Sequence, residues 1–156
     1  MQNTVGLFSA PETLSAQLGA DTLFALVATG LLFLSALVLG TWKYHGIRTS
    51  PEGAAHVYVD IAHRAALMYS FAGLLLAVFT ELSAWPTAVT LVAAAIVLAF
   101  CAGAVATYAW HGYRRDTTNQ FHGDIAAQLR VTMIALVVGE IGGFLVLFSG
   151  FLWTLC

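Results

Sequence analysis

The stretch TLFALVATGLLFLSALVLGTW, residues 22–42, holds no charged side chain from Thr22 to Trp42. Crossing a hydrocarbon layer as a helix takes about 20 apolar residues, so this stretch is long enough to do so. Three more follow at Ile61–Thr80, Ala88–Tyr108 and Val131–Trp153. The whole chain has the matching composition, with 60% apolar and 9% charged residues among 156, whereas a soluble domain carries about 25% charged residues. These features predict an all-α integral membrane four-helix bundle, a single domain over 1–156. Its spans are expected at 22–42, 57–82, 87–111 and 127–153, surrounded by the lipid bilayer.

Tryptophans mark the ends of the spans. Trp42, Trp85, Trp110 and Trp153 each fall where indole favours the membrane interface. Lys43, Arg48, Arg64, Arg114, Arg115 and Arg130 all belong to the segments joining helices 1–2 and 3–4, or to the turns beside them. By the positive-inside rule these two loops are cytoplasmic, and both termini and the Glu81–Pro86 turn lie outside. The first twenty residues lack Lys and Arg and so lack the basic start of a secretory signal, which implies that the first span is retained. Pro11–Gly19 reads as a short interfacial helix, preceded by Ser9 and closed by glycine. A net charge of −2 offers no basic patch for nucleic acid. Cys101 and Cys156 give neither a disulfide framework nor a paired-cysteine metal motif.

Chemistry-bearing residues gather toward one end. All five histidines, His45, His56, His63, His111 and His122, fall on the basic side, and imidazole is the commonest metal ligand among side chains. Ser50-Pro51-Glu52-Gly53 has the capping serine, the first-position proline and the early carboxylate of a helix start. Helix 2 is therefore expected to begin near Pro51 and run to Leu82, about 48 Å, beyond a core of about 30 Å. On such a helix His56, Asp60 and His63 are spaced i, i+4, i+7 and form one stripe descending into the membrane, with Arg64 beside it. A ligating histidine needs a carboxylate or carbonyl to orient its second nitrogen, and Asp60 is a candidate for that role toward His63. Helix 3 brings Tyr108 and His111 to the same depth, followed by Arg114 and Arg115, and Asp124 is the expected cap of helix 4.

Each of these has a plainer interpretation. His45 and His122 read as solvated loop residues, Arg114 and Arg115 as topology determinants, Tyr108 as a belt tyrosine, and His63 as a neutral imidazole bonded within the core. Glu140 lies deep in a span, about ten residues or 15 Å beyond Arg130. An intramembrane acid is a functional candidate by default, or else a carboxyl bonded across a helix interface. Gly139 and Gly143 beside it make a small-residue face suited to close helix packing and to homo-oligomerisation. Phosphate-binding glycine loops, dinucleotide fingerprints, nucleophile elbows and zinc-helix motifs do not occur.

Ala62-His63-Arg64-Ala65-Ala66-Leu67-Met68-Tyr69-Ser70-Phe71, running on to Leu82-Ser83-Ala84-Trp85, resembles the second helix of bacterial styrene oxide isomerase. Ser50-Pro51-Glu52-Gly53 upstream resembles it too. Ala102-Gly103-Ala104-Val105-Ala106-Thr107-Tyr108 is similar to that family's segment ending in its active-site tyrosine. Asn119-Gln120-Phe121 with Gly123-Asp124-Ile125 is similar to the start of its helix 4.

The resemblance, over residues 50–151, implies a small bacterial inner-membrane protein that forms a homotrimer with heme b between subunits. It implies that His63 is the axial iron ligand and that Tyr108 bonds the oxygen of a lipophilic epoxide. Around that pair the candidate catalytic set is Tyr108, Tyr69, Asp60 and Asn119. The candidate cofactor set is His63, His56, Arg64, His111, Arg114 and Arg115, the arginines as partners of the heme propionates. The chain departs from the family in having Tyr69 where the family has asparagine, in a longer interval before His63 that includes His56, and in Glu140, which has no counterpart. His56 thus stays open as an alternative ligand, and these departures favour a different substrate.

The expected activity is a membrane-bound isomerase that rearranges an epoxide to a carbonyl compound, with hydroxylaminobenzene mutase as a variant of the same idea. Two other classes remain open. One is a b-type cytochrome or redox sensor with His63 and either His56 or His111 as paired ligands. The other is a heme-free proton-coupled transporter built on Glu140.

Overall fold

The computed structural model describes residues 17–121 and 127–156. It consists of four helices, α1 (Ala20–Thr49), α2 (Val57–Glu81), α3 (Thr87–Arg114) and α4 (Ala127–Trp153). All four are apolar and long enough to span a membrane. At 1.5 Å per residue the shortest is about 38 Å long, so each clears the hydrocarbon at one or both ends. The bounds agree with the predicted spans to within a few residues, except that α1 continues seven residues past Trp42 and carries His45 as an exposed helical residue. Most of the proposed interfacial helix at Pro11–Gly19, together with His122 and the Asp124 cap, lies outside the described residues.

Helices α2 and α3 each pack on all the others, with α1 and α4 on opposite flanks. The core is lined by small side chains: Ala25, Ala36, Ala62, Ala66, Ala77, Ala93 and Ala94 are all buried. In lipid, association gains nothing from removing apolar surface from water, and small residues let backbones approach until dispersion and interhelical hydrogen bonds suffice. The Gly139 and Gly143 face follows this rule inside one chain. It packs on α3, where a side chain at either position would run into Phe100, Ile96, Val97 or the Ala93 backbone. The expected close packing is met within the chain by α3.

The start of α2 differs from expectation. Ser50-Pro51-Glu52-Gly53 closes a turn, with Gly53 N–H donating to Ser50 O at 3.1 Å and Glu52 N–H to Ser50 Oγ at 3.2 Å. Gly53 has φ 65°, a conformation glycine adopts without penalty and one that leaves the helical path. Serine first, proline second and glycine fourth suit a β-turn as well as a helix start. The helix begins six residues later, at Val57, capped by His56, whose Nδ1 accepts the Tyr58 N–H at 3.3 Å. His56 therefore lies off the helix, and the stripe of three reduces to Asp60 and His63.

Polar links tie the ends. At the end away from the basic residues, Thr90 Oγ1 donates to the buried Asp21 carboxylate, and Thr22 and Thr80 hydroxyls meet at 3.4 Å. The Ala84 N–H donates to Gly150 O at 3.1 Å and the Trp85 indole N–H to Ser149 Oγ at 3.2 Å, fastening the α2–α3 turn to α4. Overpacking the alanine core should be the sensitive perturbation. Ala66→Leu is expected to lower stability by about 1–3 kcal/mol in a detergent unfolding titration. Lipid-facing Leu34→Ala should change it by less than about 0.5 kcal/mol.

Candidate functional site

Two separate groups of polar side chains occupy the basic half of the bundle. In the first, the Asp60 carboxylate is held by Lys43 Nζ of α1 at 2.6 Å and by Arg64 of α2 at 2.8 Å, one turn on. Lys43 was not among the sequence candidates. Its only signal was its position one residue past the Trp42 belt. Asp60 is thus committed to two cations and does not orient His63.

That role is taken by the backbone. His63 Nδ1 lies 2.9 Å from the Ala36 carbonyl of α1. A carbonyl only accepts, so Nδ1 carries the proton and, in the neutral ring, Nε2 carries the lone pair. Nε2 has no hydrogen-bond partner among the described residues. The ring fits because of Gly40, where a Cβ would stand 3.0 Å from His63 Cε1. Carbonyl orientation of one imidazole nitrogen with the other left free is the arrangement found behind metal-ligating histidines. Phe33 and Phe71, in edge contact at 6.4 Å, continue the lipid-exposed α1–α2 face toward the membrane interior.

The second group centres on Tyr58, a buried residue that sequence analysis passed over. Its ring lies 6.1 Å from Tyr108, 5.3 Å from His111 and 6.3 Å from His56, and its hydroxyl accepts the Gln120 N–H at 2.7 Å. The aromatic at the second helical position, facing the buried Ala62 and Ala66 line, was the available signal. His111 bonds Asp116 at 2.8 Å, and Arg114 reaches the same carboxylate at 3.5 Å while lying over the Trp110 ring. The His111 hydrogen bond, with the Arg114 charge nearby, holds the Asp116 carboxyl below its usual value. Arg115 ends α3 at φ 52° and lines, with His56 and Glu52, a polar pocket of about 300 Å³. Asn119 is exposed, its side chain accepting the Phe121 N–H at 2.9 Å in a local turn. Deeper in the bundle Tyr69 is half-buried, and the thiol of buried Cys101 donates to Oε1 of half-buried Glu140 at 3.6 Å.

At 100° per residue, His63 and Tyr58 point about 140° apart around α2. One chain therefore does not bring His63 together with Tyr108, nor with His56 or His111, which cluster on the Tyr58 side. Among the described residues no three His, Cys, Asp or Glu side chains gather to hold a metal ion. Iron held by a porphyrin needs only one such ligand from the protein.

His56 has a structural duty of its own. His56→Ala should lower stability by about 1 kcal/mol, the usual cost of a lost cap, and His56→Asn, which restores a capping oxygen, should recover most of it in the same unfolding assay.

The fold and these groups define a four-helix, multi-pass integral membrane protein with polar clusters in the basic half of its bundle. Comparison with known proteins adds no relative: no family model, no curated protein and no solved structure matches the chain.

Proposed function

We propose that the chain is the protomer of a membrane-bound isomerase that uses heme b to rearrange a lipophilic epoxide to a carbonyl compound, with His63 as the axial ligand. The observation that carries this is the Ala36 carbonyl holding His63 Nδ1 while Nε2 stays free. The surroundings fit the group. The exposed apolar face with Phe33 and Phe71 suits a porphyrin body, and Lys43 and Arg64, paired with Asp60 in the basic half, are the side chains that would meet its propionates.

A ferric heme bound there supplies a Lewis-acid position for an epoxide oxygen. The chain's residues do the rest. The Tyr108 hydroxyl donates a hydrogen bond to the oxygen as negative charge grows on it, and the apolar helices exclude the water that would trap a developing carbocation. Isomerisation needs neither reductant nor water, which agrees with a site inside a bilayer. Because His63 and Tyr108 lie on different sides of α2, a site using both is assembled between copies, as in the homotrimer of the family this chain resembles. The same placement weighs against a two-histidine cytochrome within one chain, since His56 serves as the α2 cap and His111 is bound to Asp116.

His63→Ala should abolish both the Soret band and epoxide isomerisation in protein purified from heme-replete cells, while His56→Ala retains both. Full heme occupancy in His63→Ala would overturn the assignment. By the positive-inside rule we infer that the basic end is cytoplasmic, in a bacterial inner membrane as the resemblance implies. The exposed Cys156 should then react with a membrane-impermeant maleimide from outside in spheroplasts, and protection of Cys156 there would reverse the orientation.

A further inference from the structure

The polar pocket at the basic end has no part in the proposed chemistry. It encloses about 300 Å³ where the end of α1, the α1–α2 turn, the cap of α2 and the end of α3 meet, and Gly46, Thr49, Ser50, Glu52, His56 and Arg115 are among its walls. Arg115 joins it from the left-handed residue that closes α3. His63, Lys43, Asp60 and Arg64 are not in its lining.

The donors of this pocket are unspent. Among the described residues the Arg115 guanidinium has neither an ion pair nor a hydrogen bond. His56 Nδ1 accepts the Tyr58 N–H, so in the neutral ring Nε2 carries the proton and remains a donor. Ser50 Oγ accepts the Glu52 N–H, which leaves its own hydroxyl proton to give. The Glu52 carboxylate supplies the opposite charge and, among the described residues, is paired with no cation, Arg115 included. One full positive and one full negative charge thus line the same cavity without closing on each other. A ligand that carries both charges satisfies both walls, whereas a simple anion or cation meets one of them with repulsion.

Depth narrows the source of such a ligand. Gly46 and Thr49 follow Trp42 along α1 by about 6–10 Å, and Arg115 follows Trp110 by about 7 Å. Indole settles at the membrane interface, and the headgroup layer extends about 5–8 Å beyond the hydrocarbon on each side. The cavity is therefore level with phospholipid headgroups, where a phosphodiester and a primary ammonium occur two carbons apart in phosphoethanolamine.

We propose that this pocket binds a phosphoethanolamine group, presented by a bilayer phospholipid. The phosphate accepts from the Arg115 guanidinium, His56 Nε2–H and the Ser50 hydroxyl, and the ammonium donates to Glu52. Such a lipid would tie the α1–α2 turn to the end of α3. The site goes beyond the proposed function and is independent of heme, since it shares no residue with the His63 contact.

The test uses the purified full chain in dodecyl maltoside, which contains no phosphorus, and reads saturable broadening of the phosphorus resonance of added short-chain lipids. Dihexanoyl phosphatidylethanolamine should bind about tenfold more tightly than the phosphatidylglycerol and phosphatidylcholine of the same chains, the first lacking an ammonium and the second lacking its N–H donors. Arg115→Asn, whose side chain tolerates the left-handed conformation, should weaken phosphatidylethanolamine binding at least tenfold, as loss of a charged hydrogen bond does. Glu52→Gln should weaken it about tenfold and leave phosphatidylglycerol binding unchanged or tighter. Both residues are exposed, so neither variant disturbs the fold.

Absence of saturable binding to wild type, or wild-type affinity in both variants, overturns the site. Equal wild-type affinity for phosphatidylethanolamine and phosphatidylglycerol overturns it too, since the pocket would then be a basic patch for any phosphate. Glycerophosphoethanolamine, the same headgroup without acyl chains, should bind at least tenfold more weakly than the lipid. Equal affinity for it would make the occupant a soluble zwitterion and overturn the lipid assignment.

Discussion

The close approach of α1 and α2 is the constraint on which the basic half of this bundle depends. Ala36 and Gly40 on one helix, with Ala62 and Ala66 on the other, leave nothing bulky between the two backbones. A histidine side chain therefore reaches across to a main-chain carbonyl. That carbonyl already accepts within its own helix, and its second lone pair takes the His63 Nδ1–H. The contact fixes the tautomer and leaves Nε2 as the free basic nitrogen. Larger residues at Ala36 or Gly40 would separate the helices and release the ring.

Hydrocarbon sets the second condition. Polar groups within the bundle gain from partners inside the protein, and this chain joins several in pairs across helices: Asp21 with Thr90, Thr22 with Thr80, Asp60 with Lys43, and Cys101 with Glu140, while the buried Thr29 hydroxyl has none. Each pair joins elements that local helix propensity leaves independent. Together they set depth and rotation, which smooth apolar surfaces specify poorly. The alanine core allows close approach, and the polar pairs choose among the rotations it permits.

Local signals misled where one residue pattern serves two structures. Serine, proline and glycine at residues 50–53 satisfy a helix start and a β-turn equally, and only the packing of Gly46 against Ala55 and of Gly112 against the Val59 backbone places the turn there and the helix start at His56. Removing six residues from α2 takes His56 out of the stripe. Asp60 misled in another way: its spacing from His63 was sound, but Lys43 approaches from another helix, a neighbour that spacing along one helix cannot reveal. Tyr58 was overlooked because its importance comes from Tyr108, His111 and Gln120, all of them fifty or more residues away in the chain.

The amino-acid sequence by itself determined that the protein is a four-span membrane bundle, where each span lies to within a few residues, and that its basic and histidine-bearing residues share one end. Those properties follow from helix length against bilayer thickness and from the cost of charge in hydrocarbon, both of which act segment by segment. The tertiary structure decided which nitrogen of His63 is free, that Asp60 serves Lys43 and Arg64, that His63 and Tyr108 lie on different sides of α2, and that Cys101 and Glu140 meet. The physical reason is that helical rotation and interhelical distance are set by contacts between segments, above all by where small residues allow two backbones to come close.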